Sequence, residues 1–248
     1  MNVDLDDKVI LVTGGTGALG AEVSEAFLKL RPKVIIITYR SEGEKNNLEK
    51  NLSELKSQSS GKINTIIEYL KVNVLDEEDV RSLIEYIDKK YGGLNSLANI
   101  VGGYIGGKPI EETTLEDWEK MLSINLKSAF LLTKHAINSM KKRSYGKIVH
   151  VSSASGEKAS GNDSAYSCSK AGLIRLVESV KEEVKDKGIN INCILPTIIN
   201  TKANRDAMPG SDFSKWISPN NLAEIIIYLC SENSRVINGA AIRTFGRT

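Results

Sequence analysis

The sequence is poor in the residues that build staples and metal centres. It has three cysteines, Cys168, Cys193 and Cys230, and none stands in a C-x-x-C spacing. They cannot all pair, so neither a disulfide framework nor a cysteine zinc site organises the chain, and a reducing compartment, the cytoplasm, is expected. Two histidines, His135 and His150, are too few for a multi-histidine site, and no metal is expected. Neither sign of charge dominates: 33 Lys and Arg against 31 Asp and Glu leave a formal +2. That balance gives no electrostatic footprint for nucleic acid. No apolar run nears the ~20 residues of a membrane helix, so no membrane partner is expected. Residues 1–7 are polar and acidic and do not read as a signal peptide. What remains is ordinary globular composition, 41% hydrophobic and 26% charged over 248 residues, a length that one α/β domain can fill.

Apolar, β-branched runs recur at residues 9–12, 34–37, within 63–74, and at 94–100, 148–151, 189–195 and 240–245. They are continuous rather than alternating, which predicts strands buried on both faces. Helix-period stretches lie between them. In residues 18–30, Leu19, Val23, Ala26, Phe27 and Leu30 recur at steps of three and four. Asp76 stands where it can cap a helix beginning at Glu77. Residues 41–61 are polar except for Leu48, Leu52 and Leu55, and read as a solvated helix and loop rather than a linker. The β-α order predicts one doubly wound α/β domain over residues 1–248, a parallel sheet with helices on both faces.

Residues 8–20 run from a strand through a glycine-rich turn into a helix. Glycine permits a tight turn and close approach to a pyrophosphate, and a helix start offers free amides and partial positive charge. Gly14, Thr16, Gly17, Ala18, Leu19 and Gly20 are therefore the candidate phosphate cradle, and their place between first strand and first helix supports that reading. About 20 positions on, a dinucleotide fold sets a residue against the adenosine ribose. Tyr39 stands there, without the acid that would repel a 2′-phosphate, and Arg40 follows. Arg40 reads either as a planar grip on that phosphate, which favours NADP(H) over NAD(H), or as an exposed charge at a strand end.

Tyr166 and Lys170 are four apart and share a helix face. A phenol is a poor acid–base group near neutral pH unless a neighbouring ammonium stabilises its anion. The pattern is common by itself; its company makes it specific. Residues 146–153 form an apolar strand ending in hydroxyls, with Ser153 standing 13 residues before Tyr166, and Asn125 lies in a long helical stretch.

In order, the glycine turn, Asn99, Asn125, Ser153, Tyr166-x-x-x-Lys170 and the strand exit at Pro196 resemble the short-chain dehydrogenase/reductase family over essentially the whole chain. The resemblance implies a Rossmann-type fold of about seven strands and a nicotinamide cofactor. By it, Ser153 polarises the substrate carbonyl, Tyr166 exchanges a proton with the reacting oxygen, Lys170 binds the nicotinamide ribose and lowers the phenol pKa, and Asn125 holds a relay water. It also assigns cofactor contacts to Asn73 and Val74, to Asn99 and Gly102, and to Pro196, Ile199 and Thr201. The sequence departs from the family pattern in places. The turn reads T-G-x-x-G-x-x-G, a spacing commoner in a longer branch with an added substrate domain, for which this length leaves no room. Asn73 replaces an aspartate, Asn99-Ile-Val-Gly102 replaces Asn-Asn-Ala-Gly, and Thr197 replaces the glycine after Pro196.

Residues 197–217 are expected to cover the substrate, and their T-x-x-N-R-x-x-M-P-x-x-D-F-x-x-W skeleton looks like dihydropteridine reductases. The alternative is that Asn204, Arg205 and Trp216 merely tie down a loop. The expected function is an NADPH-preferring oxidoreductase of a small carbonyl or alcohol substrate. A dihydropteridine-type reductase is the alternative, and a non-catalytic nucleotide-binding scaffold is the rival of another class. His135, His150 and Cys168 read as packing or surface residues. The resemblance implies a homo-oligomer, tetramer before dimer, packed through amphipathic residues 115–140 and 165–185, with Ala129, Phe130, Leu132 and Ala136 as spare apolar surface.

Overall fold

The computed structural model describes residues 3–59, 61 and 63–246. Seven strands form one parallel sheet: β1 Val9–Thr13, β2 Val34–Tyr39, β3 Ile66–Lys71, β4 Ser96–Asn99, β5 Gly146–Val151, β6 Ile189–Pro196 and β7 Ala241–Thr244. Their order is β3-β2-β1-β4-β5-β6-β7. The helices are α1 Ala18–Lys29, α2 Glu42–Gln58, α3 Glu77–Tyr91, α4 Leu115–Leu122, α5 Ser128–Lys141, α6 Ser164–Val184, α7 Lys202–Ala207 and α8 Pro219–Leu229. This is a Rossmann-type α/β fold. Strand order reverses between β1 and β4, and that reversal opens a crevice beyond the carboxyl ends of the strands.

The pleat sorts each apolar run into two cores. Val9 and Leu11 of β1 join α3, α5 and α6 on one face, while Ile10 and Val12 join α1 and α8 on the other. β1, β4, β5 and β6 are therefore buried at every position, as the continuous runs predict, with polar side chains such as Asn99, Lys147, His150 and Asn192 taken inside among the apolar ones. The two outer strands differ. Each pairs on one side only, so β3 is mostly half-buried with Ile66 exposed, and Arg243 of β7 faces solvent.

Asp76 caps α3 as expected, accepting from the amides of Glu78 at 2.9 Å and Asp79 at 3.0 Å. The helical stretch around Asn125 is not uniform. α4 passes into a π-helical turn at Ser123–Lys127 before α5 begins. The apolar face assigned to oligomer contact also needs correction: Ala129, Leu132 and Ala136 are fully buried against the sheet, and only Phe130, 46% exposed, faces outward. Among the described residues no helix is long and apolar enough to cross a membrane.

Candidate active site

The turn after β1 is built by glycines with different duties. Gly14 takes φ +66°, a left-handed conformation that glycine adopts freely. A Cβ on Gly20 would fall 2.1 Å from the Gly14 carbonyl oxygen, so only glycine lets the helix pack this close to the strand exit. Gly17 is crowded by nothing nearer than 3.5 Å. It caps α1 without any side-chain acceptor, leaving the amides of Ala18, Leu19 and Gly20 facing the crevice with no side-chain partner. An uncapped helix start above an open glycine fits a pyrophosphate.

Beyond the turn the structure adds acids that the motif reading missed. Thr16 Oγ1 donates to Glu44 at 3.2 Å, and the Tyr39 hydroxyl donates to Glu42 at 3.0 Å, which holds that phenol above its ordinary range. Arg40 is exposed at the end of β2 and has no ion pair among the described residues. At the end of β3, Asn73 Oδ1 accepts from the Leu75 amide at 3.1 Å in a tight turn, and Val74 is buried.

Asn99 turns inward. Its Oδ1 accepts from Thr13 Oγ1 at 2.7 Å and its amide faces His150 Nδ1 at 3.0 Å; His150 Nε2 meets Thr133 Oγ1 at 3.0 Å. The Asn99 amide can only donate, so Nδ1 accepts and the proton sits on Nε2. Burial drives the His150 pKa down to about 3, and the imidazole stays neutral. This chain of bonds ties β1, β4, β5 and α5 together, so the Asn99 side chain is a structural tie rather than a group facing the crevice. Gly102 is the exposed member of that segment; a Cβ there would sit 3.1 Å from Asn125 Oδ1 and 3.2 Å from Lys170 Nζ.

The expected catalytic side chains converge. Asn125 is buried in the π-helical turn, a device that recurs at functional sites. Its Oδ1 accepts from the Gly103 amide at 2.9 Å, and its Nδ2 donates to Gly103 O and Ser169 Oγ, both at 3.0 Å. Lys170 is buried, and its Nζ donates to Val151 O at 2.8 Å; burial lowers its pKa to about 8. Its ammonium lies 5.9 Å from the centre of the Tyr166 ring. Ser153 Oγ accepts from the Ser155 amide at 3.1 Å and lies where its hydroxyl draws the Tyr166 phenol down. Even so, Tyr166 stands above its ordinary pKa, because burial outweighs that bond and Asp163 adds negative charge. The direction differs from the expected lowering by Lys170: burial is the largest influence on the Tyr166 phenol, and the Lys170 ammonium is turned to the Val151 carbonyl.

Pro196 ends β6, and Ile199 bridges to Ile217. The Thr201 hydroxyl caps α7, accepting from Asn204 N at 3.2 Å. Residues 197–217 hold themselves in place: Asn204 Nδ2 donates to Ile199 O at 2.8 Å, Arg205 donates to Asn200 Oδ1 at 3.0 Å, and Phe213 packs on buried Trp216 at 4.8 Å. The loop-tying alternative accounts for the residues that carried the dihydropteridine likeness. Sequence reasoning also missed Tyr104 and Asp163, which pack beside Tyr166; the only local sign was an acid three residues before the tyrosine.

The model of the short chain dehydrogenases matches residues 8–211. The chain belongs to the short-chain dehydrogenase/reductase family. It is 28% identical to the 3-oxoacyl-[acyl-carrier-protein] reductase FabG of Aquifex aeolicus, covering 99% of both chains. A short-chain type dehydrogenase/reductase from Mycobacterium ulcerans superposes with a TM-score of 0.91 at 19% identity, over 99% of this chain and 90% of that one. ElxO with NADP bound superposes with a TM-score of 0.84 at 30% identity, over 96% of each. As a member of this family the chain is an NAD(P)-dependent oxidoreductase acting between CH-OH and C=O groups of small molecules.

Proposed function

We propose that the chain interconverts a small carbonyl compound and its alcohol, with NADPH as preferred coenzyme, and that residues 1–248 work as one domain. The observation that carries this reading is the convergence of Ser153, Tyr166 and buried Lys170 beside an uncapped glycine turn. The amides and side chains of Gly14, Thr16, Gly17, Ala18, Leu19 and Gly20 hold the pyrophosphate. Tyr39 and Arg40 take the adenosine ribose, and Asn73 and Val74 border the adenine. The backbone at Asn99 and Gly102, with Pro196, Ile199 and Thr201, lines the nicotinamide end. Bound there, the coenzyme supplies or accepts hydride.

The chain's own residues handle the proton. Ser153 donates to the substrate oxygen. Tyr166 gives that oxygen a proton in reduction and takes one in oxidation, which calls for phenolate. Lys170 binds ribose hydroxyls, and its charge favours the phenolate against burial. Asn125 positions the segment at Gly103 against α6. Coenzyme choice rests on Arg40, which attracts a 2′-phosphate, set against Glu42 and Glu44, which repel one. The enzyme works in the cytoplasm as a homo-oligomer, tetramer before dimer, a state that light scattering checks by a mass above 27.1 kDa.

A substrate panel run with NADPH and NADH tests the reading, covering β-ketoacyl thioesters, quinones, sugars, steroids and quinonoid dihydropterin. Turnover of at least one carbonyl class, faster with NADPH, is expected. Coenzyme binding without turnover across the panel would leave the non-catalytic scaffold.

A further inference from the structure

The outer side of Tyr166 is formed by two residues that no motif includes. Tyr104, in the loop after β4, sets its ring edge-on to the Tyr166 ring, with centroids 4.9 Å apart and planes at 79°. Its hydroxyl donates to Asp163 Oδ1 at 2.8 Å. Asp163 immediately precedes α6, three residues before Tyr166.

The pair is fixed rather than draped. A Cβ on Gly106 would fall 2.2 Å from Asp163 Oδ1 and 2.5 Å from the Tyr104 hydroxyl, so glycine is what admits the contact. Next to it, Gly107 takes φ +84° and its amide donates to Asn162 O at 2.8 Å, stitching the two loops together. No cation neutralises Asp163 among the described residues; Lys108, on the Tyr104 loop, pairs with Asp117 at 3.3 Å. The polar groups set around Tyr166 are Lys170 on α6, Asp163 just before it, Ser153 at the exit of β5 and Tyr104 from the loop after β4. Asp163 is the single anion in that set.

We infer that Tyr104 and Asp163 determine substrate specificity, forming an anionic wall that disfavours substrates bearing a carboxylate or phosphate near the reacting carbonyl and admits neutral ones. This rests on the oxidoreductase reading above. A substrate oxygen bonded to Tyr166 brings its own substituents alongside this wall. Tyr104 is exposed and Asp163 half-buried, so like charges meeting there repel across a rim that water reaches, and selection against the anionic competitor follows from that repulsion.

The test uses ethyl acetoacetate and acetoacetate, a neutral and an anionic form of one β-keto compound, with NADPH. The wild type should prefer the ester in kcat/KM by about tenfold or more. Asp163→Asn keeps an acceptor for Tyr104 but removes the charge, and should narrow that ratio about fivefold by improving acetoacetate. Tyr104→Phe keeps the edge contact but removes the hydroxyl that quenches the carboxylate, and should widen the ratio. Opposite signs from the two variants are a signature that general loosening cannot produce, since loosening lowers both substrates together. A second readout needs no turnover. With ¹³C-labelled tyrosine, and Tyr166→Phe to assign the signal, Asp163→Asn should lower the Tyr166 titration midpoint by about half to one pH unit. If the enzyme turns over both probes, an unchanged ratio in Asp163→Asn overturns the inference. If it turns over neither, the oxidoreductase reading is at fault for these probes, and an unchanged Tyr166 midpoint overturns the wall.

Discussion

Two lysines are buried at opposite ends of β5, and the fold treats them differently. Lys147, 2% exposed at the start of the strand, reaches Asn190 Oδ1 at 2.7 Å and the Glu232 carboxylate at 3.4 Å. Lys170, 4% exposed, lies at the far end, and among the described residues its Nζ donates a hydrogen bond only to the Val151 carbonyl. Burial lowers both ammonium groups, but Glu232 opposes it at Lys147, whereas no carboxylate does so at Lys170, which falls to about 8. Where a charge only supports the fold, it is paired. Where it borders the crevice, it is left short of partners, and a ligand can complete it. The same contrast holds around the rims: Lys142 is paired with Asp88 at 2.7 Å, while Arg40 beside the crevice has no ion pair among the described residues.

The sharpest way to break this comparison is to remove one atom from the open end. Tyr166→Phe should lower turnover by about 10²–10⁴-fold while coenzyme binding and circular dichroism stay intact, because only the proton-carrying hydroxyl is lost. Steady-state rates beside coenzyme fluorescence check this. Next in size, Arg40→Ala should cut kcat/KM for NADPH by about 10–100-fold and leave NADH nearly unchanged, the worth of a charge-assisted phosphate contact. An unaltered coenzyme ratio would return Arg40 to the exposed-charge alternative.

At the closed end the currency changes from activity to stability. Lys147→Met strands Asn190 Oδ1 and should cost about 1–3 kcal/mol in denaturant unfolding, with the rate per folded molecule unchanged. The pH dependence separates the two ends further. Lys170 is protonated more readily in the unfolded chain, near 10.5, than in the fold, near 8, so the unfolded state binds more protons between those values. Stability attributable to Lys170 therefore rises as pH goes from about 8 to about 10.5, by at most about 1.4 kcal/mol per pH unit. The wild type should show that rise relative to Lys170→Met in paired unfolding titrations.

The legible parts of the molecule were those whose information is local. The glycine turn is encoded by spacing, because Gly14 and Gly20 meet within a single strand-to-helix connection. Tyr166 and Lys170 were legible because one helix turn joins them. Asn99 was not: its position in the motif was right, but which way its side chain turns depends on Thr13 and His150, from other strands. For Ala129, Leu132 and Ala136, periodicity reveals a stripe without saying which side the sheet takes, and the fold turns all three inward. Tyr104 and Asp163 are 59 residues apart and meet only because β4 and β5 are neighbours. The edge character of β3 likewise depends on strand order, which no run of Val and Ile records.

The most direct test of whether the unpaired lysine is kept for its ligand is a coenzyme titration of Lys170→Met beside a thermal melt. If Lys170 serves the crevice, the Kd for NADPH should rise about tenfold or more. The melting temperature should not fall, since an apolar chain replaces an ammonium buried without a counter-charge. An unchanged Kd with a lowered melting temperature would contradict the account and make Lys170 a structural lysine of the same kind as Lys147.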